Sequence, residues 1–135
     1  MRHELSRNVG IDKTFVALGA FLGMLGVILG ALGAHLVHLD DSHRIYSIYE
    51  IAVRYQFYHA LGLIAIGMSM AHLSARGWLR AAGWLMFLGV ILFCGSLYLS
   101  TFFAWHAVEI ITPFGGSSFI LAWLLYFIGI LLSRP

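Results

Sequence analysis

The stretch Glu50-Ile51-Ala52-Val53-Arg54-Tyr55-Gln56-Phe57-Tyr58-His59 gathers an anion, a cation, an amide, two phenols and an imidazole in one short segment. On a helix, Glu50 and Arg54 stand one turn apart in the order that favours an ion pair. Tyr58 continues that row, and Tyr55 and His59 form the row beside it. With His35 contributed by an upstream helix, these groups could line a small outward-facing pocket for an ion, a lipid headgroup or a quinone. They could equally staple one helix to its neighbours, with Arg54 stretching its apolar stem toward the surface. Both readings are open at this level.

Histidine invites a second reading. His35, His38, His43, His59 and His106 all fall toward one end of the elements predicted below, and Glu109 follows His106 by one turn. Imidazoles from several helices at one depth could hold a transition metal, and two opposed imidazoles could hold a haem. No compact ligand spacing supports either idea, because His35-x-x-His38 crosses a predicted helix end. His35, His59, His106 and Glu109 are therefore only weak metal candidates, and no cofactor is expected. His72 lies near the opposite end and reads as structural. For catalysis the sequence lacks G-x-S-x-G, H-E-x-x-H, a P-loop and a dinucleotide fingerprint. Ser117-Ser118, after Gly115-Gly116, have no base close in sequence and read as small packing residues. No catalytic residue is expected, and the chain reads as a non-enzyme.

The elements that would carry these groups are apolar runs. Four stretches, about 14–37, 53–73, 79–103 and 112–132, reach the roughly 20 residues that a helix needs to cross hydrocarbon. They lack the alternation of a barrel strand, and in lipid only helices and closed barrels satisfy every backbone group. Asp40, Asp41 and Ser42 end the first run, and Ser74-Ala75-Arg76-Gly77 turns the second into the third. Thr112-Pro113 suits a helix start, with Thr as the cap and Pro at the first helical position. Between runs one and two, residues 41–50 mix Ile45, Tyr46, Ile48 and Tyr49 with polar groups and predict a short amphipathic interfacial helix. The first run is too long for the apolar core of a signal peptide, and Ala31-Leu32-Gly33 is a poor cleavage site, so it is expected to be retained.

Composition agrees. Of 135 residues, 61% are hydrophobic and 10% are charged, against roughly a quarter charged in soluble domains. A net charge of +2 without a basic run gives no argument for nucleic acid. The one cysteine, Cys94, lies in an apolar run and reads as a small buried hydrophobe. The expected fold is all-α, a single-domain membrane bundle of four helices over residues 1–135. Basic residues mark the cytoplasmic side. Arg2, Arg7, Lys13, Arg76, Arg80 and Arg134 fall on one side and only Arg44 and Arg54 on the other, which predicts both termini in the cytoplasm of a bacterial inner membrane. Trp78 and Trp84 on one side, and Tyr46, Tyr49, Phe102, Phe103 and Trp105 on the other, suit the aromatic belts.

Packing signals are glycines. Gly19, Gly23, Gly26, Gly30 and Gly33 recur at spacings of four and three, which keeps them on one face of the first helix. Removing side-chain bulk lets two backbones approach. The partner is either another helix of the same chain, or a second copy or larger membrane complex; the face itself does not choose. Ala82, Gly89 and Ser96 make a similar face on the third helix. Leu25-Gly26-Val27-Ile28-Leu29 recurs as Leu88-Gly89-Val90-Ile91-Leu92, as a duplicated two-helix unit would leave it, although apolar segments also match by chance.

Four segments carry a family likeness: Gly30-Ala31-Leu32-Gly33-Ala34-His35, Arg54 through Ala60, Gly95-Ser96-Leu97-Tyr98, and Ile111-Thr112-Pro113-Phe114-Gly115-Gly116. The chain resembles the YgdD/YwdK family of small bacterial inner-membrane proteins of uncharacterised function from about Phe15 onward. The resemblance implies a four-helix plasma-membrane protein and carries over no catalytic or ligand residue. The His38–Tyr49 segment and the polar start, Met1–Asp12, depart from the pattern and could serve a partner of this protein alone. An accessory or scaffolding role in the membrane is the leading expectation. A solute, ion, lipid or quinone carrier is the alternative, and a metal or haem protein a weaker one.

Overall fold

Apolar runs with few breakers dictate long helices, and a computed structural model shows them. It describes residues 10–36 and 43–134. Helix α1 spans Lys13–Leu36, α2 His43–Ser69, α3 Arg76–Gly89, α4 Gly95–Phe103 and α5 Thr112–Leu132. A π turn, Val90–Cys94, joins α3 to α4, so the two form one bulged third span, and a 3-10 turn, His106–Ile111, leads into α5. Among the described residues there is no strand. Three helical runs, Lys13–His35, Arg76–Phe103 and His106–Leu132, are long and apolar enough to cross a bilayer. Helix α2 is as long, but its middle carries Arg54, Tyr55, Gln56, Tyr58 and His59.

Two details differ from the sequence expectation. The amphipathic stretch is not a separate element: His43 to Ser69 is one unbroken helix. No Gly or Pro interrupts residues 43–61, and the Glu50–Arg54 pair spans the expected junction, so nothing stops propagation. The second detail is Thr112, which does not cap α5. The 3-10 turn runs straight into the helix without a side-chain cap, and the Thr112 hydroxyl lies 2.6 Å from that of Ser96 instead.

Within each hairpin, α1 with α2 and α3 with α5, the helices pack antiparallel, with glycine as the recess. On α1, a methyl added to Gly33 would overlap the Tyr49 ring, one at Gly26 the Phe57 ring, and one at Gly19 the backbone of Ala60. These three glycines are seven apart and form the row against α2. Gly23 has open space, and Gly30 makes only ordinary contact with Val53. The glycine face is thus split: Gly19, Gly26 and Gly33 are filled by this chain's own α2, Gly30 touches it, and Gly23 is open.

The second hairpin repeats the first. Gly26 receives the Phe57 ring and Gly89 the Phe119 ring. Gln56 donates to the carbonyl of Leu22, and Ser118 donates to that of Leu85. Gly67 packs on Val16 as Gly129 does on Leu79, and Gly30 faces Val53 as Phe93 faces Gly115, with the glycine exchanged across the interface. The first helices correspond at an offset of 63 residues and the second helices at 62, by these pairs. Recurrent contacts at one register in both hairpins are not what chance likeness between apolar segments produces. The π turn belongs to the second copy alone.

The core lies between the hairpins, where Leu63, Ile66, Leu79, Ala82, Met86 and Ala122 are fully enclosed. Phe15 crosses from α1 onto Gly83 and meets Trp84 edge-on at 5.3 Å. Cys94 is buried there as a free thiol.

Candidate functional site

The polar cluster of α2 sits deeper than the sequence suggests. Helix α2 begins ten residues before the expected span, so its residues are displaced inward along the bundle. Phe57 packs on Gly26, midway along α1, and His59 stacks on Phe119, a third of the way into α5. Gln56 and His59 therefore lie near the middle of the bundle and not at the end where α2 begins.

Three neighbours divide the cluster. Gln56, 2% exposed, joins three helices. Its Nε2 donates to the Leu22 carbonyl of α1 at 2.8 Å, and its Oε1 accepts from the Tyr98 hydroxyl of α4 at 2.6 Å. Tyr49 makes a parallel link one helical repeat away, its hydroxyl donating to the Leu29 carbonyl. Its ring meets those of Tyr98 and Phe102 edge-on at 5.6 and 5.5 Å. Glu50 and Arg54 instead face outward as a 3.4 Å pair, with about half of each side chain exposed. Tyr58 is exposed beside them.

His59 faces a third neighbour, α5. It is 4% exposed and lies parallel to the Phe119 ring at a centroid distance of 3.5 Å. Tyr55 stacks at 6.0 Å and Trp123 tilts in at 6.1 Å. Tyr55 also touches Phe93, which the π turn carries; π turns often re-aim side chains at functional positions. Nδ1 is 2.6 Å from the Tyr55 carbonyl. A carbonyl can only accept, so Nδ1 carries the proton and the neutral ring keeps Nε2 as an acceptor. Nε2 has no hydrogen-bond partner among the described residues, and no fully enclosed side-chain nitrogen or oxygen is left unpaired. Nε2 is therefore not fully enclosed, and it lies beside the aromatic rings that α2 and α5 place around His59.

The histidines do not converge. His35 is exposed at the end of α1, His106 sits on the 3-10 turn, and His59 is mid-helix. His38 lies outside the described residues, as does the side chain of His43. Among the described residues no three His, Cys, Asp or Glu side chains group as a metal site requires.

The sequence places Glu109 one turn after His106, but it does not show that Ser100 joins them. Ser100 on α4 donates to Glu109 Oε1 and lies 3.4 Å from His106 Nδ1, which is itself 3.3 Å from the same carboxylate oxygen. The residue types are those of a nucleophile, a base and an orienting acid, but the geometry is not. A relay needs the serine on one ring nitrogen and the acid on the other. Here both meet Nδ1, and the serine proton already points at the carboxylate. The group fastens the 3-10 turn to α4. Beside it, Arg44, Ile48, Ser100, Thr101 and His106 line a cavity of about 190 Å³. A second, of about 210 Å³, opens over Gly30 and Gly33 against Tyr46, Tyr49 and Glu50.

An all-helical chain with three bilayer-length apolar helices and polar groups bonded between helices is an integral membrane protein. It belongs to the DUF423 family, described as proteins of unknown function, whose family model matches residues 29–116. Curated relatives carry the name UPF0382 membrane protein. One from Staphylococcus saprophyticus is 42% identical over 87% of this chain and 96% of its own length. Another, from Staphylococcus haemolyticus, is 44% identical over 86% and 93%, and YwdK of Bacillus subtilis is 39% identical over 84% and 92%. No solved structure matches the chain.

Proposed function

We propose that the protein is a non-catalytic accessory protein of the bacterial inner membrane, crossing it four times with both termini in the cytoplasm. In this reading it acts by lateral contact with a second copy or a larger membrane complex. The observation that carries the reading is how its buried polar groups are used. Gln56, Ser96, Ser100 and Ser118 are each bonded to a neighbouring helix or turn, which leaves them as glue. The open space at Gly23 offers a place for a further helix to approach. The excess of basic residues at one end supports the orientation, and the first turns of α2 then lie at the outer headgroup level. Affinity purification from native membranes in mild detergent tests the role. A stoichiometric partner or a dimer is expected, and a monodisperse monomer that crosslinks to nothing in the membrane would sink it. Reporters fused to each terminus test the orientation.

A second reading, a binding protein for a lipid-soluble ligand such as a quinone, is favoured by one observation. The positions of the second hairpin that correspond to Arg54, Tyr55, Tyr58 and His59 are Gly116, Ser117, Ile120 and Leu121. The same hairpin packs there without a charge, a phenol or an imidazole, so packing does not demand them. An ionisable side chain inside the membrane is a functional candidate by default. Here His59 Nε2 would accept a hydrogen bond from a hydroxyl-bearing ring held between Tyr55 and Trp123. Ligand or transport lost in both Arg54→Ala and His59→Ala, at unchanged folding, would support this reading; full retention in both would remove it.

A further inference from the structure

The α2–α3 turn and the residues after α5 are laced together by two serines. The Ala75 amide donates to Ser133 Oγ at 3.1 Å, and the Arg134 amide donates to Ser74 Oγ at 2.9 Å. Arg76 reaches back across the turn. Its Nη1 donates to the carbonyls of Met70 and of Gly10, the latter at 3.2 Å. Those bonds hold the guanidinium in place and leave Nε and Nη2 without a partner among the described residues. The result is a cavity of about 380 Å³ with Arg76, Arg134, His72 and Ser74 on its polar side and Met70 and Leu73 on its apolar side.

Among the described residues nothing balances the charge of this cavity. No Asp or Glu among the described residues lines it. The two ion pairs among the described residues, Glu50–Arg54 and His106–Glu109, belong to other parts of the bundle. Asp12, the described acid at this end, accepts from the amides of Thr14 and Phe15 and so caps α1. Two guanidinium groups facing one recess repel unless an anion lies between them, and the planar fork of arginine suits the oxygens of phosphate. Exposed Trp78, on the first turn of α3, marks this end as headgroup level.

We propose that this recess binds the phosphate of an anionic glycerophospholipid, of the phosphatidylglycerol class. Arg76 and Arg134 clasp the phosphate, Ser74 and His72 border the glycerol, and the acyl chains leave over Met70 and Leu73 along α2. A basic pocket between helices at a membrane surface takes headgroups in this way. The assignment holds in either leaflet and does not depend on the role proposed above.

The test uses the full chain, stripped of lipid in detergent and read by native mass spectrometry and by thermal stability. Phosphatidylglycerol is expected to be retained and to stabilise, and phosphatidylcholine at the same concentration is not. Losing one arginine is expected to weaken retention about fivefold. Arg134→Gln is the decisive variant, because its side chain supports no bond in the fold. Arg76→Lys keeps the charge and removes the fork, and Arg80→Gln controls for a cation at the same end outside the recess. The proposal is overturned if Arg134→Gln retains lipid like the parent, if Arg80→Gln loses as much, or if phosphatidylcholine serves equally. Inorganic phosphate protecting as well as the lipid would overturn the lipid as occupant.

Discussion

Gln56 donates a 2.8 Å hydrogen bond to the main-chain carbonyl of Leu22, a residue on the antiparallel neighbour helix. That carbonyl belongs to a helix and so has one lone pair already engaged. It is available because Gly19 and Gly26, flanking it on the same face, let α2 come close. Glycine spacing and the buried amide are therefore one device: the glycines set the distance and the amide sets the register. Ser118 repeats the device on Leu85 at 2.6 Å.

Replacing Gln56 by Leu should destabilise the protein by about 1–3 kcal/mol, since the Tyr98 hydroxyl is then left without its partner inside the bundle. Measured hydrogen bonds between membrane helices sit at the low end of that range. Denaturant unfolding in detergent micelles reads the effect. Adding Tyr98→Phe should cost less than its own single effect, because the two side chains share one bond. Strict additivity would show that they act independently.

Filled and open glycines should answer differently. Gly26→Val and Gly89→Val each push an aromatic ring out of its recess and should lower stability by about 1–3 kcal/mol, the usual range for overpacking. Gly23→Val meets open space and should leave the isolated protein unchanged. If Gly23→Val also abolishes a co-purifying partner, the open face at Gly23 is the contact surface; if it destabilises the purified monomer, Gly23 is packed in a way the bundle does not show.

Much of this was legible in the residues. The apolar runs at about 14–37 and 112–132 match α1 and α5 within a residue, because length and hydropathy alone decide a lipid-facing helix. The recurrence of Leu-Gly-Val-Ile-Leu left a duplication and a chance match both open, and it falls on helices that correspond in the two hairpins. Less legible was the start of α2, since an amphipathic segment and a buried polar helix have similar composition, and only the absence of a breaker tells them apart. That error placed Gln56 and His59 too shallow. The π turn at Val90–Cys94 left no composition signal beyond its flanking Gly89 and Gly95. The Ser100, His106 and Glu109 grouping depends on a tight loop that folds one segment back on another, which spacing does not encode.

Arg54→Ala should change stability by less than about 1 kcal/mol, as for other exposed one-turn ion pairs. Thermal unfolding of the purified monomer in detergent measures it. A loss several times larger would mean that Arg54 is enclosed, and the outward-facing geometry would be wrong.

Ser100 should not react with a fluorophosphonate probe that labels activated serines, because no ring nitrogen stands ready to take its proton. Intact mass before and after treatment reads this directly. Stoichiometric labelling, lost in Ser100→Ala, would reopen an enzymatic reading.

Ala104 ends α4 with a φ of 51°, in the left-handed region. A Cβ there crowds the carbonyl that follows, at about 1 kcal/mol or more, and glycine is the residue that helix ends normally place at such a position. Ala104→Gly should therefore stabilise the protein, by up to about 1 kcal/mol once the added freedom of the unfolded chain is subtracted. The turn after Ala104 carries His106 and Glu109 onto Ser100, so the same variant should leave that contact intact. A raised unfolding midpoint in detergent is the expected result. A lowered one would show that the left-handed turn is not populated in the folded protein, and with it the Ser100–Glu109 bond would be lost.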